Sequence, residues 1–172
     1  MIFQRCTEND LKKTIGLYHR VIKHLEETVN YPQWSDAHPS DESIRQAFAS
    51  GELYICKDGD TVAGAAVMSE DPEGDYGAGD WSRELSPGEF LIIHVLASHP
   101  DYARKGVGGI LVDGCLDVAK KAGYRAVRLD VVPENLPAVG LYQKHGFSYA
   151  GTKSLNRPGV DIPLFDLYEY NL

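Results

Sequence analysis

Cysteine is scarce in this sequence, with 3 in 172 residues. The odd count and the lack of any CxxC spacing argue against a disulfide framework and against a structural zinc site. Cys6, Cys56 and Cys115 all lie in stretches with an apolar pattern. We therefore predict reduced thiols in the core of a cytoplasmic protein, and no metal centre.

Long apolar runs and an excess of basic residues are also missing. No stretch approaches the roughly 18 apolar residues of a membrane span, and no basic segment followed by an apolar one opens the chain. Lys and Arg number 17 against 25 Asp and Glu, which gives a net charge of -8. Neither nucleic-acid binding through a general basic surface nor a membrane partner is therefore expected. An acidic surface favours solubility and is compatible with a cationic substrate.

The remaining composition is that of an ordinary globular protein, with 43% hydrophobic and 24% charged residues. A chain of this length suits one domain, 1–172, which can bury a core of its own. Apolar alternation predicts strands at 2–6, 53–56, 62–68, 90–96, 126–132, 147–152 and 164–170. Helical spacing and caps predict helices after Thr7, at 40–50 and from the glycines near 106 to 122. A short helix is predicted within 133–147, with Pro137 in its first turn and Gly146 as its cap.

The order of these elements predicts an α/β fold. A strand, helix and strand at 90–132 should form a right-handed parallel crossover, whereas the flanking hairpins are antiparallel. We predict a mixed, mostly antiparallel sheet with a central parallel unit, flanked by helices. The acidic, glycine-rich segment 70–88 is expected to be a mobile loop.

A glycine-rich segment, Arg104 to Gly109, separates the strand at 90–96 from the following helix. The first turn of a helix presents unpaired N–H groups and the positive end of the helix dipole, which suits an anion. Two cations, Arg104 and Lys105, are intrinsically unfavourable there unless a phosphate occupies the site. The alternative is a solvated glycine turn.

Three motifs together resemble the GNAT superfamily of N-acetyltransferases. They are Leu96-Ala-Ser-His-Pro100, Ala103-Arg-Lys-Gly-Val-Gly108 and Asn135-Leu-Pro-Ala-Val-Gly-Leu-Tyr-Gln-Lys-His-Gly-Phe147. The resemblance spans nearly the whole chain in element order. It departs from the family at Ala103, where Arg or Gln is usual, and at Ser98, where Val is common.

The resemblance implies that acetyl-CoA binds between the strands ending near Ser98 and Val132. Backbone groups would pair with the pantetheine arm, and the glycine loop would hold the pyrophosphate. Tyr142 would lie near the thioester sulfur and protonate the leaving thiolate. The implied cofactor contacts are Leu96, Ala97, Ser98, Arg104, Lys105, Gly106, Val107, Gly108, Gly109 and Asn135.

The general base is less well defined. His94 shares strand parity with Ile92, Leu96 and Ser98, so regular alternation directs it toward the cofactor side, and imidazole titrates in the useful range. The alternative is that His94 is a buried core histidine whose hydrogen-bonding groups have partners within the protein. A water relay or Glu70 are the alternatives for the base.

The acceptor is expected to be the primary amine of a small molecule or peptide. The resemblance makes Tyr31, Trp34, Glu70 and the loop 71–81 candidates for contacting it, although such aromatic residues often cover the core instead. Exposed terminal strands often pair in this family, so a homodimer is expected.

Two rival functions remain from the sequence alone. A dinucleotide-binding oxidoreductase would use Gly106-x-Gly108, with Asp130 as the ribose ligand. Against that function, Leu111 occupies the position of the third glycine. The second rival is a noncatalytic acyl-CoA sensor or regulatory module on the same fold.

Overall fold

The computed structural model describes residues 1–172. The helices are α1 Glu8–Glu27, α2 Asp41–Ala49, α3 Val107–Ala122 and α4 Leu136–Lys144. The strands are β1 Ile2–Arg5, β2 Leu53–Asp58, β3 Thr61–Ser69, β4 Phe90–Ser98, β5 Ala126–Val131, β6 Ser148–Lys153 and β7 Phe165–Asn171. Short 3₁₀ turns occupy Tyr76–Ala78 and Pro100–Tyr102.

The seven strands form one sheet in the order β1-β2-β3-β4-β5-β7-β6. Strands β4 and β5 are parallel, with Phe90 opposite Ala126 and Ile92 opposite Arg128. The hairpins β2–β3 and β6–β7 and the pair β5–β7 are antiparallel. The predicted α/β class and mixed sheet with a central parallel unit are therefore confirmed.

Two helix starts use different side-chain contacts. Ser40 caps α2 as its position suggests, because its hydroxyl oxygen accepts from the Ser43 N–H at 3.1 Å. Thr7 precedes α1 but makes no cap to the backbone. Its hydroxyl donates instead to the Asp10 carboxylate at 2.7 Å, so a contact between side chains replaces the cap expected from Thr7.

Residue contacts divide the chain into two compact units. Unit 1 comprises Met1–Met68 and His94–Cys115, and unit 2 comprises Ser69–Ile93 and Leu116–Leu172. All three cysteines are free and buried, as predicted. None of the helices combines the length and apolarity needed to cross a membrane.

Unit 1 contains two packed clusters. The first, called here the α1 core, contains apolar residues of α1, α2 and the sheet: Cys6, Leu11, Ile15, Leu17, Tyr18, Val21, Ile44, Ala47, Leu53, Ile55, Val62, Ala65 and Ala97. The second, called the α3 core, packs helix α3 on the sheet and contains Cys56, Ala63, Val107 and Leu111. A partly buried ion pair joins the buried Asp10 of α1 to the half-buried Lys57 of β2 at 2.8 Å.

Unit 2 holds the segment 70–88 by several side-chain contacts. Tyr76 is buried and its hydroxyl donates to Asp130 at 2.6 Å. Arg157 binds both carboxylate oxygens of Asp130, at 2.8 and 2.6 Å, and donates to the carbonyls of Pro72 and Glu73. The segment expected to be a mobile loop is therefore tied to β5 and to the β6–β7 connection.

A second buried charge pair holds the end of that segment. Arg128 of β5 lies opposite Glu169 of β7, and both are 3% exposed. The guanidinium of Arg128 lies 4.2 Å from the ring centres of both Trp81 and Phe90. Because Glu169 accepts from the Ser82 N–H at 2.6 Å, this pair also fixes the approach to β4.

Candidate active site

The segment 104–109 has the geometry of an anion-binding turn. Arg104 and Gly106 adopt positive φ values of 61° and 82°, and helix α3 begins at the next residue, Val107. Turns of this kind direct successive N–H groups to one side. The N–H groups of Val107, Gly108 and Gly109 belong to the first turn of α3 and have no acceptor within the helix.

The two cations of the segment are exposed. Arg104 lies at the turn itself, and the Lys105 ammonium lies 4.6 Å from the centre of the Tyr102 ring. The Tyr102 hydroxyl donates to Asp58 at 3.2 Å. The segment therefore offers exposed positive charge beside backbone donors, which is the combination that binds a phosphate group.

The start of α3 lies close to the sheet because β3 has a glycine beneath it. A Cβ atom on Gly64 would lie 2.5 Å from Val107 Cγ1 and 2.8 Å from the Ala97 carbonyl oxygen. Ala97 and Val107 are themselves buried, at 3% and 2% exposure. Of the predicted cofactor contacts, these two can therefore contribute only backbone groups.

Strand β4 departs from extended backbone geometry at Val95, whose φ is 43°. Val95 and Ala97 pack on the α1 core, whereas Leu96 packs on the α3 core. His94, 8% exposed, precedes this irregularity, so strand parity cannot be extended across it from Leu96 and Ser98. The direction predicted for His94 is therefore unsupported by alternation.

The predicted aromatic contacts of the acceptor lie in the connection between α1 and α2. Trp34 packs against Tyr18, with ring centres 6.2 Å apart. The Asn30 side chain holds it in place by accepting from the Trp34 N–H and donating to the Trp34 carbonyl, at 2.9 and 2.8 Å. Trp34 thus covers the α1 core, while Tyr31 is half-buried in the turn before it.

In unit 2, helix α4 carries the two remaining motif residues. Asn135 caps the helix, because its side-chain oxygen accepts from the Ala138 N–H at 3.3 Å. Tyr142 is 7% exposed, and its ring lies edge-on to Phe147 at 5.8 Å. The edge-on packing of its ring against Phe147 constrains the orientation of Tyr142.

Two acidic side chains already have strong partners. The Tyr124 hydroxyl donates to Glu70 at 2.6 Å, so Glu70 would have to change partners to act as a base. Asp130 accepts from Arg157 and Tyr76, as described above. Its carboxylate is therefore part of a structural network, which removes the support for Asp130 as the ribose ligand of an oxidoreductase.

Sequence reasoning missed three residues that shape this region: Tyr18, Gly64 and Val95. In the sequence, Tyr18 is one of the residues with apolar helical spacing in α1. Its hydroxyl nevertheless donates to the Val95 carbonyl at 3.0 Å. Gly64 lies in a strand pattern, where an isolated glycine signals a close approach of another backbone. That signal was available, but it does not say which element approaches.

Comparison with known proteins places the chain in a family. A model described as the acetyltransferase (GNAT) family matches residues 8–147, and the chain belongs to this family. The structure of yncA from Salmonella typhimurium, solved with its cofactor acetyl-CoA, has a TM-score of 0.71 and 15% identity, covering 99% of this chain and 93% of that one. At this identity the likeness concerns the fold.

Two curated relatives match parts of the chain. Ribosomal protein bS18 alanine N-acetyltransferase of Escherichia coli is 33% identical over 66 residues, covering 38% of this chain and 45% of that protein. Mycothiol acetyltransferase of Geodermatophilus obscurus is 30% identical over 122 residues, covering 69% of this chain and 37% of that protein. The chain spans less than half the length of both.

Proposed function

We propose that the chain transfers the acetyl group of acetyl-CoA directly to a primary amine of a small molecule or peptide. The observation that carries the proposal is the segment 104–109, which combines two positive φ values, two exposed cations and the first N–H groups of α3. Such a segment fits a pyrophosphate. Family membership supports acetyl-CoA as the molecule that brings it.

In this proposal the glycine segment anchors the donor mainly through backbone donors. Because the segment supplies N–H groups at the start of α3, the missing family residue at Ala103 has little effect on anchoring. Arg104 and Lys105 add charge. Leu96 and Ser98 offer backbone groups to the pantetheine arm, and Asn135 offers the amide N–H groups that its helix cap leaves available.

The chemistry requires the removal of one proton and the delivery of another. An amine with a pKa near 10.4 is neutral in only about one molecule in 2,500 at pH 7, so a base must accept its proton. Acetyl-CoA supplies the acetyl group and leaves as a thiolate. The Tyr142 hydroxyl is assigned the second proton transfer, because a phenol donor near the sulfur favours its departure.

His94 is assigned the role of base, directly or through water. His94 is 8% exposed and lies in β4, the strand that borders the proposed pantetheine site. The pH profile of kcat for His94→Ala tests this role, because loss of the base should remove the acidic limb. An unchanged profile and rate would leave water or Glu70 as the base.

The function is tested by a thiol-release assay with acetyl-CoA against polyamines, amino acids, aminoglycosides and peptide N-termini. Tyr142→Phe is run beside Tyr149→Phe, a matched control whose hydroxyl is exposed and contacts Thr152. We expect Tyr142→Phe to lower kcat far more than it raises the KM for acetyl-CoA, and Tyr149→Phe to be neutral. An unchanged kcat in Tyr142→Phe would contradict its role.

Calorimetric titration with CoA separates the remaining functions. Tight CoA binding without turnover on any acceptor would favour the noncatalytic sensor. Absence of CoA binding would contradict the proposal as a whole.

The homodimer and the cytoplasmic location stay predictions from the sequence.

A further inference from the structure

The irregularity in β4 has a specific side-chain partner. Val95 is β-branched and half-buried, yet its φ of 43° lies in the left-handed region. Side chains branched at Cβ are rarely found there, because they crowd the following carbonyl. A conformation of this kind persists only where the surrounding structure holds it.

Tyr18 of α1 stabilises this conformation of Val95. Its ring is 1% exposed within the α1 core, and its hydroxyl donates to the Val95 carbonyl oxygen at 3.0 Å. Trp34 packs against the same ring, and Asn30 holds Trp34 in position. A phenylalanine would fill the same apolar space, so the hydroxyl serves the carbonyl rather than the packing.

The Val95 carbonyl and the Leu96 N–H belong to one planar peptide group. In a trans peptide these two groups point in opposite directions, so fixing one fixes the other. The hydroxyl of Tyr18 therefore determines where the Leu96 N–H points. Leu96 is half-buried and packs on the α3 core, the cluster that also contains the start of the glycine segment, Val107.

We propose that Tyr18 is a positioning residue for acetyl-CoA, which acts by holding the Val95 carbonyl so that the Leu96 N–H is aimed at the pantetheine arm. The inference rests on the proposed function. Tyr18 does not contact the donor in this arrangement. Its effect is transmitted through one peptide group and should appear in donor binding alone.

The test compares Tyr18→Phe with Tyr54→Phe. Tyr54 is also buried in unit 1 and also loses one hydrogen bond, because its hydroxyl accepts from Arg5 at 3.1 Å. Tyr18→Phe should raise the Kd of CoA and the KM for acetyl-CoA by roughly three- to tenfold, the range of one hydrogen bond. The KM for the amine and kcat at saturating acetyl-CoA should stay within about twofold of wild type, as should all constants of Tyr54→Phe.

A second measurement follows the amide group of Leu96 itself. In amide spectra of the ¹⁵N-labelled wild-type protein, the Leu96 resonance should shift on addition of CoA. In Tyr18→Phe its position without CoA should already differ from wild type.

The outcomes distinguish a failure of this inference from a failure of the proposed function. Equal CoA affinity in wild type and folded Tyr18→Phe, or a Leu96 amide that does not respond at saturating CoA, would overturn the inference while leaving the proposed function intact. A fall in kcat with an unchanged KM for acetyl-CoA would overturn it as well. A wild-type protein that binds no CoA would overturn the proposed function itself.

Discussion

Replacing Gly64 with alanine tests whether the start of α3 must lie against the sheet. The added Cβ would lie 2.5 Å from Val107 Cγ1, 2.8 Å from the Ala97 carbonyl oxygen and 2.9 Å from Leu111 Cδ1. Rotation of Val107 could relieve one of these contacts. The Ala97 oxygen belongs to the backbone of β4, so the clash with it requires β3, β4 or α3 to move.

The expected cost follows from two opposing effects. Replacing glycine in a strand reduces the freedom of the unfolded chain, which stabilises the protein by up to about 1 kcal/mol. Overpacking a closed contact destabilises it by about 1–3 kcal/mol, and here three atoms lie below an ordinary contact distance. The steric effect should win, with a net loss near 1–2 kcal/mol and a fall in Tm of roughly 2–8 °C.

The functional effect should be larger than the loss of stability. Rotation of Val107 cannot relieve the clash with the Ala97 oxygen, so the backbone must shift where β3, β4 and the start of α3 meet. The first turn of α3 carries the N–H groups assigned to the pyrophosphate. Misplacement by about 1 Å can reduce catalysis by up to ~100-fold, so we expect the KM for acetyl-CoA to rise at least tenfold.

The assay is thermal unfolding together with thiol-release kinetics. Gly16→Ala is the matched control, because Gly16 lies in α1 with no atom within 4 Å of its added Cβ. That variant should gain about 1 kcal/mol and keep its kinetic constants. A Gly64→Ala protein with wild-type Tm and an unchanged KM for acetyl-CoA would refute the close-packing argument.

Substitutions at three further positions have defined outcomes. Burial raises the pKa of Asp10, but hydrogen bonds from Lys57 and Thr7 outweigh it and hold that pKa below its ordinary value. The resulting stability is present above the unfolded pKa near 3.9 and is lost as pH falls through the lower folded pKa. Asp10→Asn should therefore lower Tm at pH 7, and its difference from wild type should narrow by pH 3; a constant difference would contradict this. Arg157→Lys loses the two-point contact with Asp130, so it should lower stability by about 1–3 kcal/mol and speed proteolysis within 70–88, measured by denaturant unfolding and limited digestion. Asn135→Asp keeps the capping oxygen but loses the amide N–H groups, so it should retain Tm and weaken CoA binding. Asn135→Ala should weaken CoA binding and also lower the free energy of unfolding by about 1 kcal/mol, because the helix cap is lost. Equal CoA affinity in both variants and wild type would contradict the role of Asn135 in binding pantetheine.

The fold could be predicted because its signals are local. The cap of α2 at Ser40 and the hairpin of β2 and β3 each depend on a few neighbouring residues. The parallel crossover followed from a strand, a helix and a strand at the usual spacing. The glycine segment could be placed at the start of α3 for the same reason.

The details of the site could not be predicted because they depend on residues distant in sequence. Strand parity assigns His94 a direction only while alternation is unbroken, and nothing local to Val95 signals a positive φ. The residue that holds it, Tyr18, lies 77 positions earlier in the chain. Similarly, Arg157 gives no local indication that it will bind Asp130, 27 positions away.

Motif residues are poor guides to their own chemistry, because contacts with residues distant in sequence set the geometry around them. Asn135 resembles a cofactor contact, yet the contact that the fold gives its oxygen is a helix cap. Tyr18 belongs to no motif, yet it holds the peptide group whose N–H is assigned to the donor. A motif identifies the segment that meets a ligand, whereas the side chains that fix its backbone come from wherever the core packs against it. In this chain helix α1 is such a source, and substitutions buried in it should change donor affinity as well as stability.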